Sequence, residues 1–181
     1  MINDDEWGII KYEDSRWKSS SGYEKYPAVN ITWYGANQYA KWAGKRLPTE
    51  AEWEKACRAS SNTKYCCGEV ESNLVEYAWN GYNSGNKTHP VGQKKPNSYG
   101  IYDMIGNAWE WCSDWYDADY YKSSPYKNPQ GPDSGSLRVM RGGSWNNFTV
   151  MYRSANRYSL DPRFKWNGNS IGFRCARSSA Q

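Results

Sequence analysis

The residues best suited to chemistry lie between two short frames, Arg141-Gly142-Gly143-Ser144-Trp145 and Ile171-Gly172-Phe173-Arg174-Cys175. The chain between them has little helical or strand periodicity and is rich in aromatic, Asn, Ser and Arg side chains. The chemistry such a segment supports is recognition. Rigid amphipathic rings give large contact area at low entropic cost, while Asn and Ser adapt their hydrogen bonds. The contact set is read as Asn146, Asn147, Phe148, Thr149, Val150, Met151, Tyr152, Tyr158, Ser159, Leu160, Asp161, Arg163, Phe164, Lys165, Trp166, Asn167, Gly168 and Asn169. Rings at Phe148, Tyr152, Tyr158, Phe164 and Trp166 would be its energetic centre. Asp161, Arg163 and Lys165 would set charge preference at the rim. Core filling is the competing use for those rings.

Catalytic constellations are hard to assemble from this chain. His89, the single histidine, stands beside Pro90 with no nucleophile signature near it and reads as a solvated loop residue. Glu50/Glu54 and Glu52/Lys55 have the spacing of charge decoration on an exposed helix face. The five cysteines, Cys57, Cys66, Cys67, Cys112 and Cys175, form neither a CxxC motif nor a zinc-like Cys/His pattern. They read as buried structural thiols or as thiols with a disulfide among them, and the odd count leaves one free if every bridge is internal.

Positioning these residues requires a core, and its composition is unusual. Ile, Val, Leu and Phe are scarce, whereas 11 Trp and 16 Tyr supply the apolar area. Each buried ring removes roughly 150–250 Å² from water and needs a partner for its polar tip. A folded core stitched by side-chain hydrogen bonds is therefore expected, despite a mean hydropathy of −1.00. With 181 residues the chain is read as a single domain, 1–181. The net charge of +4 comes from scattered Lys and Arg without a basic run, which argues against nucleic acid. No apolar stretch approaches the ~18 residues of a membrane span, so no membrane insertion is expected. The opening Met-Ile-Asn-Asp-Asp-Glu-Trp is too acidic for a secretory signal.

Two helices and several short strands are legible. Ala36, Tyr39, Ala40 and Ala43 fall on one helix face within 33–43, ended by Gly44. Thr49 and Glu52 have capping-box spacing for a second helix that reaches about Arg58, with Trp53, Ala56 and Cys57 as its apolar face. Residues 60–100 and 113–136 read as loop, and 1–28 as short strands or loop. Strands are expected at Ile101–Met104, Ala108–Cys112, Leu137–Met140 and Ile171–Ala176, with a Gly106-Asn107 turn between the first two. Trp79, Trp109, Trp111 and Trp115 read as core. This pattern is α+β.

Several motifs occur in a recognisable order. They are Pro27-Ala28-Val29, Thr32-Trp33-Tyr34, Gly44-Lys45-Arg46-Leu47-Pro48-Thr49-Glu50-Ala51-Glu52-Trp53-Glu54, Gly106-Asn107-Ala108-Trp109-Glu110-Trp111, Arg141-Gly142-Gly143-Ser144-Trp145 and Gly172-Phe173-Arg174. Together they resemble the formylglycine-generating-enzyme (sulfatase-modifying factor) domain, a variant of the C-type lectin fold, over about residues 27–177. The resemblance implies two helices, short strands and much irregular loop. The family's oxidases bind copper through two cysteines spaced C-x4-C between the Gly-Gly-Ser and Gly-Phe-Arg motifs. This chain has no cysteine between Cys112 and Cys175, and hydroxyls cannot replace thiolates as soft ligands. The oxidase or related metalloenzyme is thus the alternative reading, and no enzyme is expected.

A second branch is closer. Arg153-Ser154-Ala155-Asn156-Arg157 between the two frames resembles the variable proteins of diversity-generating retroelements, known from phages, bacteria and archaeal viruses. That resemblance implies a diversified C-terminal surface that binds a protein or glycan ligand, such as a cell-surface receptor, from a virion or cell surface. The family also implies a calcium loop, in which Asp103 and Glu110 supply carboxylates and Gly106 and Ala108 supply carbonyls. Calcium accepts such hard oxygens in irregular geometry. The other reading of that loop is a turn with Asn107 left-handed and Glu110 paired with an Arg or a Trp N–H. No cofactor is otherwise required.

Overall fold

The computed structural model describes residues 10–13, 16–164 and 168–178. Strands β1 (Ile10–Glu13) and β2 (Arg16–Ser19) pair antiparallel as a hairpin. Helix α1 (Trp33–Trp42) is capped by Thr32, whose hydroxyl accepts from the Gly35 N–H. It buries Trp33, Ala36 and Ala40. Tyr39, expected on that face, is instead half in solvent and leans edge-on against Phe173. Helix α2 (Glu50–Arg58) carries both hydrogen bonds of the expected capping box, Thr49 to Glu52 and back.

The stretch 60–100 is not all loop. A 3-10 turn at Glu71–Asn73 runs into a short helix, α3 (Leu74–Tyr77), because Leu74 finds a place in the core. The strand expected at Ile101–Met104 does not form. Left-handed backbone at Asp103 interrupts it, and Met104 and Ile105 enter the core from a loop.

Strands β3 (Trp109–Trp115), β4 (Arg138–Arg141), β5 (Tyr158–Leu160) and β6 (Ile171–Phe173) form a mixed sheet in the order β5-β4-β3-β6. β3 runs antiparallel to β4 and parallel to β6, and β4 runs antiparallel to β5. β5 lies inside the segment whose sequence has no strand period. Three residues are too few to display one, and pairing with β4 alone sustains it.

Alternation along β3 and β4 separates two cores. Cys112 and Val139 join Trp53, Leu74, Ile105 and Tyr152 on one side; Trp111 and Met140 join Trp33, Leu47 and Ile171 on the other. Three core indole tips are satisfied as composition requires, whereas the buried Trp79 indole N–H has no hydrogen-bond partner. Trp33 donates to the Cys112 carbonyl at 2.7 Å, Trp53 to Glu110 at 2.6 Å and Trp111 to the Ile31 carbonyl at 2.9 Å. Trp109 and Trp111 are buried, while Trp79 and Trp115 are half-buried. The Arg138 guanidinium lies 3.8 Å from the Trp33 ring centre and 3.4 Å from that of Trp115. Among the described residues no helix is long and apolar enough to cross a membrane.

Candidate functional site

The first frame is a fixed platform. Arg141 is fully buried; its guanidinium donates to the carbonyls of Asn156 and Ser154 and pairs with Glu54. Arg157 forks onto Glu50 at 2.7 and 2.8 Å, and Arg141 stands 3.6 Å from the same carboxylate. Glu50 is only 1% exposed. Glu50 and Glu54 are thus not surface decoration, because the first turns of α2 face the strand β4 and the chain behind it. Sequence spacing could not reveal this, since Arg141 and Arg157 lie 87 and 107 residues from the carboxylates they pair with.

The chain beyond the frame folds back through Ser144. Its N–H and hydroxyl donate to the Asn147 side chain, and its hydroxyl also reaches Asn146. A 3-10 turn follows at Thr149–Tyr152. Phe148 and Val150 stand more than half exposed, and Asn146 is exposed beside them. Tyr82 joins this patch, 70% exposed with its ring edge-on to Phe148 at 5.4 Å. Sequence reasoning missed Tyr82, which reaches the patch because the Gly81 N–H bonds the Asn147 carbonyl. Glycine at 81 is needed there: a Cβ would lie 2.9 Å from that oxygen.

A second patch follows β5. Tyr158 and Phe164 are 45% and 46% exposed, and Tyr158 packs on the Trp109 ring at 5.3 Å. Arg163 grips Asp161 through two nitrogens at 2.7 and 3.0 Å. That pairing holds the Asp161 carboxyl down at about 2. Asn169 is tied to Asn30 and, through its carbonyl, to the Trp145 indole. Gly168 is half-buried, and Lys165, Trp166 and Asn167 lie outside the described residues.

Tyr152 requires a correction. Expected as an exposed contact ring, it is 1% exposed and belongs to the core. Its hydroxyl donates to the Ser144 and Asn147 carbonyls, both at 2.8 Å. A Cβ at Gly143 would sit 2.7 Å from its ring, so the frame glycine, at φ +75°, makes room for it. Met151 and Leu160 are half-buried against the other core cluster, and Thr149 and Ser159 are half-buried as well. The exposed part of the expected contact set is thus Asn146, Phe148, Val150, Tyr158, Arg163 and Phe164.

Asp103, Gly106, Ala108 and Glu110 do come together. They line one cleft of about 370 Å³ with Tyr102, Phe173 and Arg174. Glu110 is buried and fully engaged, accepting from the Trp53 indole and from two nitrogens of Arg174 at 2.5 and 2.6 Å. Asn107 is left-handed and exchanges hydrogen bonds with the His89 backbone. The turn reading of this loop is therefore realised. Asp103 nonetheless keeps capacity for a cation, since its Oδ1 is buried without a hydrogen-bond partner while Oδ2 accepts from Gly92. Burial pushes its carboxyl up from the ordinary range. Hard oxygens without a thiolate or imidazole suit calcium. His89 is not a solvated loop residue: it stacks on Trp79 at 3.7 Å, and its Nε2 lies 2.7 Å from the Ser84 carbonyl.

Known proteins place this arrangement. The chain is 42% identical over 180 residues to the serine/threonine-protein kinase pkn1 of Chlamydia caviae, covering 93% of this chain and 28% of that protein. It is 39% identical over 174 residues to the formylglycine-generating enzyme of Streptomyces coelicolor, covering 88% of this chain and 55% of the enzyme. The chain thus spans between about a quarter and about half of these relatives. In structure it resembles Treponema denticola variable protein 1, with a TM-score of 0.72 and 30% identity over 86% of this chain and 73% of that one. The sequence model of the sulfatase-modifying factor enzyme 1-like domain matches residues 3–179. That match extends nearer the N-terminus than the motifs from residue 27 had indicated, so the β1–β2 hairpin lies within it. On the sequence match and the fold together, the chain belongs to the sulfatase-modifying factor enzyme 1-like domain family.

Proposed function

We propose that this domain is a non-enzymatic recognition module that presents a diversified C-terminal surface. One observation carries the reading: Arg141, Ser144, Tyr152, Ser154 and Ile171 are buried, while Phe148, Val150, Tyr158, Arg163 and Phe164 between them face solvent. Side chains that face solvent leave no core cavity when they change, so the domain can stay folded as they vary. The likeness to a variable protein supports the same reading. The ligand is a protein or glycan displayed on a cell, met from a virion or cell surface. Calcium is proposed as a structural ion, held by Asp103, the Gly106 and Ala108 carbonyls and Glu110. When bound it would supply positive charge beside the Asp103 carboxylate, whose buried Oδ1 has no hydrogen-bond partner.

The test is a library in which codons 146, 148, 150, 158, 163 and 164 are randomised and displayed. Most members should keep the parental melting temperature, and binders to several unrelated immobilised proteins and glycans should be recoverable. A library that mostly fails to fold would defeat the proposal. The oxidase alternative draws its support from the 39% identity to a formylglycine-generating enzyme. Tight Cu(I) uptake and conversion of a cysteine-containing sulfatase peptide would establish it instead.

A further inference from the structure

Helix α2 turns Ala51, Glu54, Lys55 and Arg58 away from the core, at the i, i+3, i+4 and i+7 spacing of one helix face. They form the floor of a groove of about 650 Å³, within the roughly 300–1,000 Å³ of small-molecule sites. One wall is Tyr99. Its loop is tied to the end of α2, because the Asn97 side chain donates to the Ala56 and Cys57 carbonyls at 2.6 and 3.1 Å. The Ser98 hydroxyl donates to the Ala59 carbonyl at 2.8 Å. These bonds satisfy carbonyls that a helix end leaves open. Left-handed backbone at Ala59 and Ser60 follows, and the Ser60 hydroxyl meets that of Tyr99 at 2.6 Å. Another wall is Tyr121, in a 3-10 turn at Tyr120–Lys122, with its ring centre 5.0 Å from the Arg157 guanidinium. Both rings are exposed.

We propose that this groove is a second binding site, for a small ligand that carries both an aromatic ring and an anionic group. Charge sets the sign. Lys55, Arg58 and Arg157 line the groove with Arg141 behind them, against the carboxylates of Glu54 and, beneath, Glu50. Glu54 is already shared by Arg58 and Arg141, and Glu50 by Arg157 and Arg141. Arg58 spends Nε on Glu54 and Nη1 on the Thr63 carbonyl, which leaves Nη2 without an acceptor among the described residues. The Lys55 ammonium is exposed and has no acid partner among them. A phosphate, sulfate or carboxylate accepting from Lys55 and Arg58 would make charge-assisted bonds. A ring on the same ligand would pack on Tyr99 or Tyr121.

The site stands apart from the recognition surface. Of the groove's residues only Ala155 and Arg157 lie between the two frames, and neither belongs to the exposed contact set. A variant changed at Phe148 and Val150 should therefore keep the groove's ligand.

Phenyl phosphate is the probe, titrated calorimetrically into the full chain, with inorganic phosphate and phenol as charge-only and ring-only controls. The expected result is saturable binding at least about tenfold tighter than either control. Lys55→Gln and Tyr99→Leu should each weaken it about tenfold, while Tyr99→Phe, which keeps the ring, should bind as the parent does. Lys55 is exposed, so Lys55→Gln should melt with the parent and report binding alone. Adenosine 5′-monophosphate and a short phosphotyrosine peptide then separate two sources of this chemistry, a free nucleotide and a modified side chain, by which binds more tightly. Absence of saturable binding, inorganic phosphate or phenol binding as tightly as phenyl phosphate, or affinity indifferent to both Lys55→Gln and Tyr99→Leu would each overturn the proposal.

Discussion

At the scale of single residues, burial rather than residue type separates scaffold from surface. Tyr152 and Phe148 are four positions apart in the same irregular segment, yet one is 1% exposed and the other 56%. Truncating Tyr152 to Ala leaves a cavity and removes the bonds of its hydroxyl to two carbonyls, so a loss of about 3–5 kcal/mol is expected. Phe148→Ala should cost less than about 1 kcal/mol, since an exposed ring leaves no cavity. Urea denaturation of both variants measures the contrast, and equal losses would place Phe148 in the scaffold. Arg157 makes a similar case. Replacing it by Met leaves Glu50 buried with only the more distant Arg141, and should cost roughly 3 kcal/mol. The double variant Glu50→Gln with Arg157→Met should recover part of that loss, because the uncompensated charge is gone. A double variant that is simply additive would argue against coupling.

At the scale of elements, helix α2 is the hub. Its N-terminus is capped twice: Thr49 closes the box, and Asp114 on β3 accepts the Glu50 N–H through Oδ2 at 2.8 Å. Asp114 is 2% exposed, and a Cβ at Gly131 would press on it at 2.8 Å. Burial raises its carboxyl to about 6, with the Glu50 charge adding to the effect and bonds from Glu50 N–H and Ser113 opposing it. The folded state therefore holds this proton more tightly than the unfolded chain does. Its stabilising contribution is complete below the unfolded value near ~4 and is lost as pH rises through about 6. Thermal melts should show stability rising as pH falls from about 7.5 to about 5. Asp114→Asn should flatten that slope, and an unchanged slope would assign it to other groups.

Across the whole molecule, the C-terminal segment returns to the sheet and closes the cleft lined by Asp103 and Glu110. Phe173 and Arg174, which follow from the parallel pairing of β6 on β3, complete a cleft begun by Asp103 and Glu110. A ligand that binds only the folded state stabilises it in proportion to the logarithm of one plus the ratio of free ligand to Kd, and so raises the melting temperature. Calcium at 100 times its dissociation constant should stabilise by ~2.7 kcal/mol. Asp103→Asn should remove most of the shift, and a melt indifferent to both calcium and chelator would show that the Arg174–Glu110 pair alone serves the cleft.

The sequence by itself determined the family, the α+β class, both long helices with the capping box, and the two frames that bracket the surface. Each of these is local: a cap, a period or a motif is complete within about a dozen residues. Only the tertiary structure decided what the local pattern left open. It took Tyr152 out of the surface, because Gly143 leaves room for its ring. It brought Tyr82 in through a backbone bond from a loop some seventy residues earlier. It turned Glu50 into a buried partner of Arg157 and Glu54 into a half-buried partner of Arg141. For Tyr82, Glu50 and Glu54 the deciding partner is remote in the chain, and neither charge nor aromatic character states which neighbour will cover a residue.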